Sequence, residues 1–168
     1  NISGQPINTP RVIKYRTGTR RKHWNKNCIA LGLASGFIEP LESTSIHLIQ
    51  QGIVRLLRHL PSKAMEASKR DAFNSLMRYE MDNIRDFIVL HYKVTEREDT
   101  PFWRFCKNME IPDSLSERLE LFKSSSHAYK LDNELFGETS WVQVMVGQGL
   151  MPKAYHRIVD MMDKEELE

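Results

Sequence analysis

From Ser43 onward apolar residues recur at intervals of three and four, and that rhythm commits most of the chain to helices. Ile46, Ile49, Ile53, Leu56, Leu57 and Leu60 mark one face of a first helix, which Pro61 ends. A second, long helix is predicted from about Ser62 to Tyr92, with Phe73, Leu76, Met77, Glu80, Ile84, Phe87, Ile88 and His91 on its inner face. Glu80 is the odd member of that stripe: a carboxylate there must be hydrogen-bonded or reach solvent. Thr100-Pro101 opens a third helix, with Thr as cap and Pro at the first helical position. Ser114-Leu115-Ser116-Glu117 has the capping-box spacing and opens a fourth, to about Phe122. A fifth begins at Ser140-Trp141 and ends at Gly147 and Gly149, and a last one follows Pro152.

Before Ser43 the pattern differs. Residues 10–20 alternate weakly around Val12, Ile13 and Tyr15 and reach Gly18, which predicts a strand and a turn. Asn27 to Leu31 is a short apolar run that predicts a buried strand, and residues 33–42 form a loop around Phe37-Ile38. The fold class expected is mainly α with a short N-terminal β segment.

The net charge of +2 is too small to point to nucleic acid or an anionic membrane. The basic residues Arg11, Lys14, Arg16, Arg20, Arg21 and Lys22 read as a solvated strand or loop. The two cysteines, Cys28 and Cys106, have apolar sequence neighbours and no spacing that implies a disulfide framework or a zinc site. A reducing, cytoplasmic setting is the expectation. No apolar run reaches the roughly 18 residues of a membrane helix. The chain opens at Asn1 without Met and stops at Glu168 within a helical pattern, so both ends are expected to be cuts in a longer protein.

Chemistry concentrates at Glu39-Pro40-Leu41-Glu42-Ser43-Thr44-Ser45. Pro40 keeps Glu39 extended, and the following residues lead into the first helix. The first N–H groups of a helix lack partners within it and carry the positive end of its dipole, so they can bind a small anion. Glu42 stands beside them, and apolar Phe37, Ile38, Leu41 and Ile46 flank the carboxylates. On physical grounds the stretch is either an N-cap with two acids complementing the dipole, or an anion or acid/base site.

The stretch Trp24 to Thr44, running through Gly32-Leu33-Ala34-Ser35-Gly36 and Glu39-Pro40-Leu41-Glu42-Ser43-Thr44, closely resembles a signature block of the flavin-dependent tryptophan halogenases. His91 to Trp103 is similar to that family's substrate-side segment, and Gly137 to Pro152 to a later pattern. The resemblance covers about Gly18 to His156 and implies the C-terminal part of a flavin monooxygenase-like two-domain halogenase fold. In that division residues 1–42 are a remnant of the flavin-binding domain, and 43–168 a helical substrate-side domain truncated at its C-terminus.

Reduced FAD, delivered by a flavin reductase, and oxygen would then oxidise chloride or bromide, and the resulting hypohalous acid would halogenate an indole or other aromatic substrate, small molecule or peptide. Glu42 matches the catalytic glutamate, with Ser43 as its neighbour. The backbone N–H groups of Thr44 and Ser45 match the halide site, although the family commonly has Gly where this chain has Ser45. Gly32, Leu33 and Ile46 match flavin-lining positions. Tyr92 and Glu98 match residues that hold the amino-acid end of tryptophan, and Phe102 and Trp103 match aromatics that flank the indole. On spacing alone Phe102 and Trp103 read as core packing on a short helix, and only the resemblance makes a substrate role an equal alternative; Trp24 and Trp141 are read as structural. His91 stands where tryptophan-specific members tend to carry Tyr, which puts free tryptophan in doubt as substrate. The Gly-rich nucleotide fingerprint and the lysine that works opposite the glutamate have no match here, so these residues alone are expected to bind flavin weakly or not at all and not to halogenate. A homodimer stays open. The competing readings are a flavin monooxygenase of the same fold and a non-catalytic helical interaction module.

Overall fold

The computed structural model of the chain describes residues 4, 8–9, 11–61 and 66–161. The chain's last residues and the expected start of the second helix at Ser62 lie outside them. The architecture is mainly helical with two very small sheets. Five α-helices are present among the described residues: α1 (Thr44–His59), α2 (Ala67–Lys93), α3 (Pro101–Asn108), α4 (Asp113–Ser125) and α5 (Glu138–Gly147). Four two-residue strands precede them: β1 (Gly18–Thr19), β2 (Trp24–Asn25), β3 (Cys28–Ile29) and β4 (Gly36–Phe37).

Helix α2 is the axis. At 27 residues it is about 40 Å long, and α1, α3, α4, α5 and β2 all pack on it. Its buried stripe contains Phe73, Met77, Glu80, Ile84, Phe87 and Ile88 as expected, together with Met81 and Leu90. Phe87 and Leu90 join Leu115, Leu119, Phe122, Trp141 and Met145 in one core; Phe73 and Met77 join Trp24 in another. Trp24 and Trp141 are therefore structural, each 2 % exposed.

Helix α1 departs from its expected face. Its apolar residues divide between two stripes. Ile49 and Leu56 face inward, and Gly52 between them allows close approach to Leu31 and Met77. Ile46, Ile53, Leu57 and Leu60 lie on the other side and are exposed, Ile46 at 76 %. The three-and-four rhythm is real, but both stripes satisfy it, and only packing tells them apart. The polar residue Arg55 is buried in their place, bonding the Glu80 carboxylate, which also accepts from His47 Nε2 at 2.8 Å. Glu80 is thus a hydrogen-bonded core carboxylate that ties α1 to α2.

Other local expectations were altered by competition for the same groups. Thr100 caps α3 by accepting from the Trp103 N–H, with Pro101 at the first helical position. Ser114, expected as an N-cap, instead donates to the buried Asp86, and α4 begins after Pro112 with no side-chain cap. Helix α5 starts at Glu138, ahead of Ser140, and the segment after Pro152 contains a 3-10 turn at Arg157–Met161. Residues 11–17 form no strand and are exposed, in line with a solvated basic stretch. Cys28 is exposed in β3, against the apolar setting inferred from its neighbours, while Cys106 is buried; both are free thiols.

The strands serve as clips for the loops before α1. β1 pairs antiparallel with β4, setting Thr19 opposite Gly36, and β2 pairs with β3. Gly36 is required there: a Cβ would meet Gly18 O and the Met81 Cε at 2.9 Å, and Thr19 Cα at 3.0 Å. Gly36→Ala is expected to destabilise by about 1–3 kcal/mol through overpacking, read as a lowered urea midpoint; an unchanged midpoint would show that the clip yields.

Candidate functional site

The loop clipped by β4 runs through Pro40 into a 3-10 turn, Leu41–Ser43, and then directly into α1. Glu42 and Ser43 have φ of 62° and 54°, two successive left-handed residues without glycine. Each such conformation costs on the order of 1–3 kcal/mol and tends to persist where function demands it. The left-handed turn also settles the capping question. Ser43 occupies the N-cap position but makes no side-chain cap bond, and no acid lies in the first turn of α1. Ser43 is therefore not a side-chain cap, and the helix entrance keeps its positive dipole end uncapped by side chains.

Thr44 and Ser45 open into a narrow recess of about 10 Å3, lined also by Gly32, Leu33, Gly36, Phe37 and Ile49. That is room for about one water-sized particle. The expected halide residues and two of the three expected flavin-lining residues thus share one recess. Thr44 is 3 % exposed, whereas Leu33 and Ile46 are 68 % and 76 % exposed. Gly32, at φ 59°, makes the turn that presents Leu33. Two uncovered aliphatic side chains near a slim backbone turn and a bare helix N-terminus suit a flat, partly anionic ring system such as a flavin.

The C-terminal end of α2 reaches back to the same turn. The Tyr92 hydroxyl donates to Glu39, and His91 Nε2 lies 3.6 Å from Glu42 Oε1. Both carboxylates flanking Pro40 are therefore met by consecutive residues of α2. Desolvation, followed by the Glu39 carboxylate, pushes the Tyr92 phenol up to about 12. The phenol contact is fully present below the ordinary tyrosine value near 10 and is lost as pH rises through about 12. Tyr92→Phe is expected to remove a late step from the tyrosinate absorbance titration; loss of an ordinary step instead would place the phenol in water.

Tyr92 also stacks on Trp103 at 6.1 Å and meets Phe102 edge-on at 6.2 Å. Phe102 is 56 % exposed, so this trio is not core packing. Trp103 and His91 line an open cleft of about 530 Å3 with Thr95, Glu96, Arg97 and Gln148. Glu98 is drawn elsewhere: Lys107 Nζ lies 2.6 Å from its Oε1 and holds the Glu98 carboxyl below its usual range. Arg97 covers the Trp103 ring at 4.4 Å, and with Lys107 it has no signal in the local sequence. Both act across turns of the chain that periodicity does not register.

The tryptophan halogenase family model matches residues 1–164. The chain belongs to the tryptophan halogenase family. It is 42% identical over 112 residues to a 7-chloro-L-tryptophan 6-halogenase of Kutzneria sp. (strain 744), covering 67% of this chain and 22% of that protein. Among solved structures it is similar to a flavin-dependent halogenase from Xanthomonas campestris, with TM-score 0.91, 50% identity, and coverage of 99% of this chain and 34% of the other. A flavin-dependent halogenase from Brevundimonas sp. BAL3 gives TM-score 0.90 and 43% identity, covering 98% of this chain and 33% of that one. The chain spans about a fifth of the length of the curated relatives it matches and about a third of these solved halogenases. Among the described residues no helix is long and apolar enough to cross a membrane, and no His, Cys, Asp and Glu group could hold a metal.

Proposed function

We propose that this chain supplies the halide and substrate side of a flavin-dependent halogenase acting on an indole or related aromatic. The observation that carries the reading is the uncapped entrance of α1, where Thr44 and Ser45 share a recess with Gly32 and Leu33 beside the left-handed Glu42. Reduced FAD with oxygen, when bound, supplies the oxidising power that turns chloride or bromide into an electrophilic halogen. The chain's own residues do the rest. Thr44 and Ser45 N–H groups hold the halide at the helix dipole. Gly32, Leu33 and Ile46 give the flavin a slim backbone and apolar contact. Glu42, with Ser43 beside it, places a carboxylate where positive charge develops on the aromatic ring.

Phe102 offers an exposed aromatic face to a flat substrate, and Trp103, edge-on to it, lines the open cleft. Tyr92 and Glu98 would meet its polar end, but each already has a partner, Glu39 and Lys107. That favours an indole or a peptide-borne aromatic over free tryptophan. The division into a flavin-binding part up to residue 42 and a helical part from 43 is part of the same proposal, with Trp24 of the first part packed on Phe73 and Met77 of the second. A flavin reductase would supply the reduced cofactor, and a cytoplasmic setting suits the free thiols.

The test supplies the full-length enzyme with reduced FAD, oxygen, bromide and indole, and follows product mass. A brominated indole is expected. A hydroxylated product without bromine would favour a monooxygenase, and no product with any aromatic tried would leave only a packing module.

A further inference from the structure

Glu42 has one partner among the described residues, and it lies on a different element. Its side chain is 46% exposed, makes no hydrogen bond, and meets only His91 Nε2, at 3.6 Å. That separation is too long for a hydrogen bond and within ion-pair range. The imidazole, by contrast, is firmly placed. Nδ1 lies 2.8 Å from the Phe87 carbonyl oxygen, which can only accept, so Nδ1 carries a proton. The ring also packs edge-on against Phe87 at 4.9 Å, and Phe87 is 2 % exposed, stacked on Phe136 at 3.8 Å and edge-on to Trp141 at 5.0 Å. With Nδ1 donating to the Phe87 carbonyl, Nε2 is the ring nitrogen turned towards Glu42. The other charged groups near His91 are Glu96 and Arg97, which share its cleft. The neighbouring carboxylate, Glu39, is engaged by Tyr92.

We propose that His91 is a positioning residue for Glu42: anchored to the Phe87 carbonyl, its Nε2 fixes the Glu42 carboxylate in one rotamer at the edge of the cleft that His91 and Trp103 line. The proposal rests on the reading of Glu42 as the catalytic carboxylate. A side chain left to swing at a strained, half-exposed turn would sample several positions, and misplacement by about 1 Å can cost on the order of 10²-fold in rate.

Three variants of the full-length enzyme separate the contributions, assayed with reduced FAD, oxygen, bromide and indole. His91→Phe keeps the ring and removes both nitrogens. His91→Asn can retain the bond to the Phe87 carbonyl but cannot reach Glu42. His91→Gln can extend an amide N–H towards Glu42. The Phe and Asn variants are expected to lose kcat by about 10–100-fold with KM for indole changed less than about twofold, and the Gln variant to recover most of that loss. Flavin affinity unchanged from wild type establishes that each variant is folded. Independently of turnover, the 15N resonance of His91 Nε2 should move in Glu42→Gln while Nδ1 stays protonated. Unchanged kcat in the Phe variant, a change confined to KM, no recovery in the Gln variant, or an unmoved Nε2 resonance would each overturn the proposal. If Glu42→Gln itself turns over normally, the reading of Glu42 fails; if it is inactive while all three His91 variants behave as wild type, only the positioning role fails.

Discussion

Glu80→Ala is expected to destabilise the chain by about 3–5 kcal/mol, the cost of removing one partner from a buried ion pair. Glu80 is 2 % exposed and Arg55 7 %. Without the carboxylate, the Arg55 guanidinium keeps only the Leu76 carbonyl at 3.4 Å and the Met77 sulfur at 3.8 Å as acceptors. His47 loses its 2.8 Å contact at the same time. The charge left on Arg55 is what makes the loss large; the pair itself contributes much less. Replacing both members, as in Arg55→Met with Glu80→Leu, should therefore be far milder than Glu80→Ala alone. Urea denaturation checks this: a drop in midpoint of about 1 M or more for the single variant, largely recovered in the double. Equal destabilisation in both would show that packing volume, not charge, dominates here.

Glu42→Gln is expected to reduce halogenation by the full-length enzyme by about 10²–10³-fold, the usual effect of removing a group aimed at developing charge. Gln has the same length and the same Cβ, so the left-handed turn at Glu42 and Ser43 loses nothing sterically. Flavin binding should be unaffected, because the residues assigned to the flavin are Gly32, Leu33 and Ile46. The halide response separates charge from shape. A carboxylate beside an anion site repels the anion, so the variant's bromide KM should be unchanged or lower while kcat collapses. A raised bromide KM with kcat intact would instead make Glu42 a structural part of the halide site.

What the sequence reveals depends on whether the deciding contact is local. Helix α2 is legible because one continuous apolar stripe, with Glu80 inside it, leaves a single way to bury it. Helix α1 is not, because Ile49 and Leu56 on one side compete with Ile46, Ile53 and Leu57 on the other, and the choice is made by Gly52 and Arg55 meeting α2. Ser114 has the pattern of an N-cap, yet Asp86, distant in sequence, takes its hydroxyl. Strands of two residues carry too little pattern to be read at all.

The site divides the same way. A helix entrance at Thr44 follows from periodicity and Pro40, and the family resemblance identifies Glu42 within it. The left-handed pair Glu42 and Ser43 has no local signature, since neither residue is Gly or Asn. The engagement of Glu98 by Lys107, and of both turn carboxylates by His91 and Tyr92, depends on how helices pack. Glu98, which the resemblance matches to a residue holding the amino-acid end of tryptophan, is thereby paired with Lys107.

The bare entrance of α1 is proposed to hold the halide. Bromide soaked into crystals of the full-length enzyme and located by anomalous scattering tests it directly. A bromide peak is expected within hydrogen-bonding distance of the Thr44 and Ser45 backbone nitrogens, in the recess that Gly32 also lines. An empty entrance at bromide concentrations that support turnover, with the ion bound elsewhere, would contradict it.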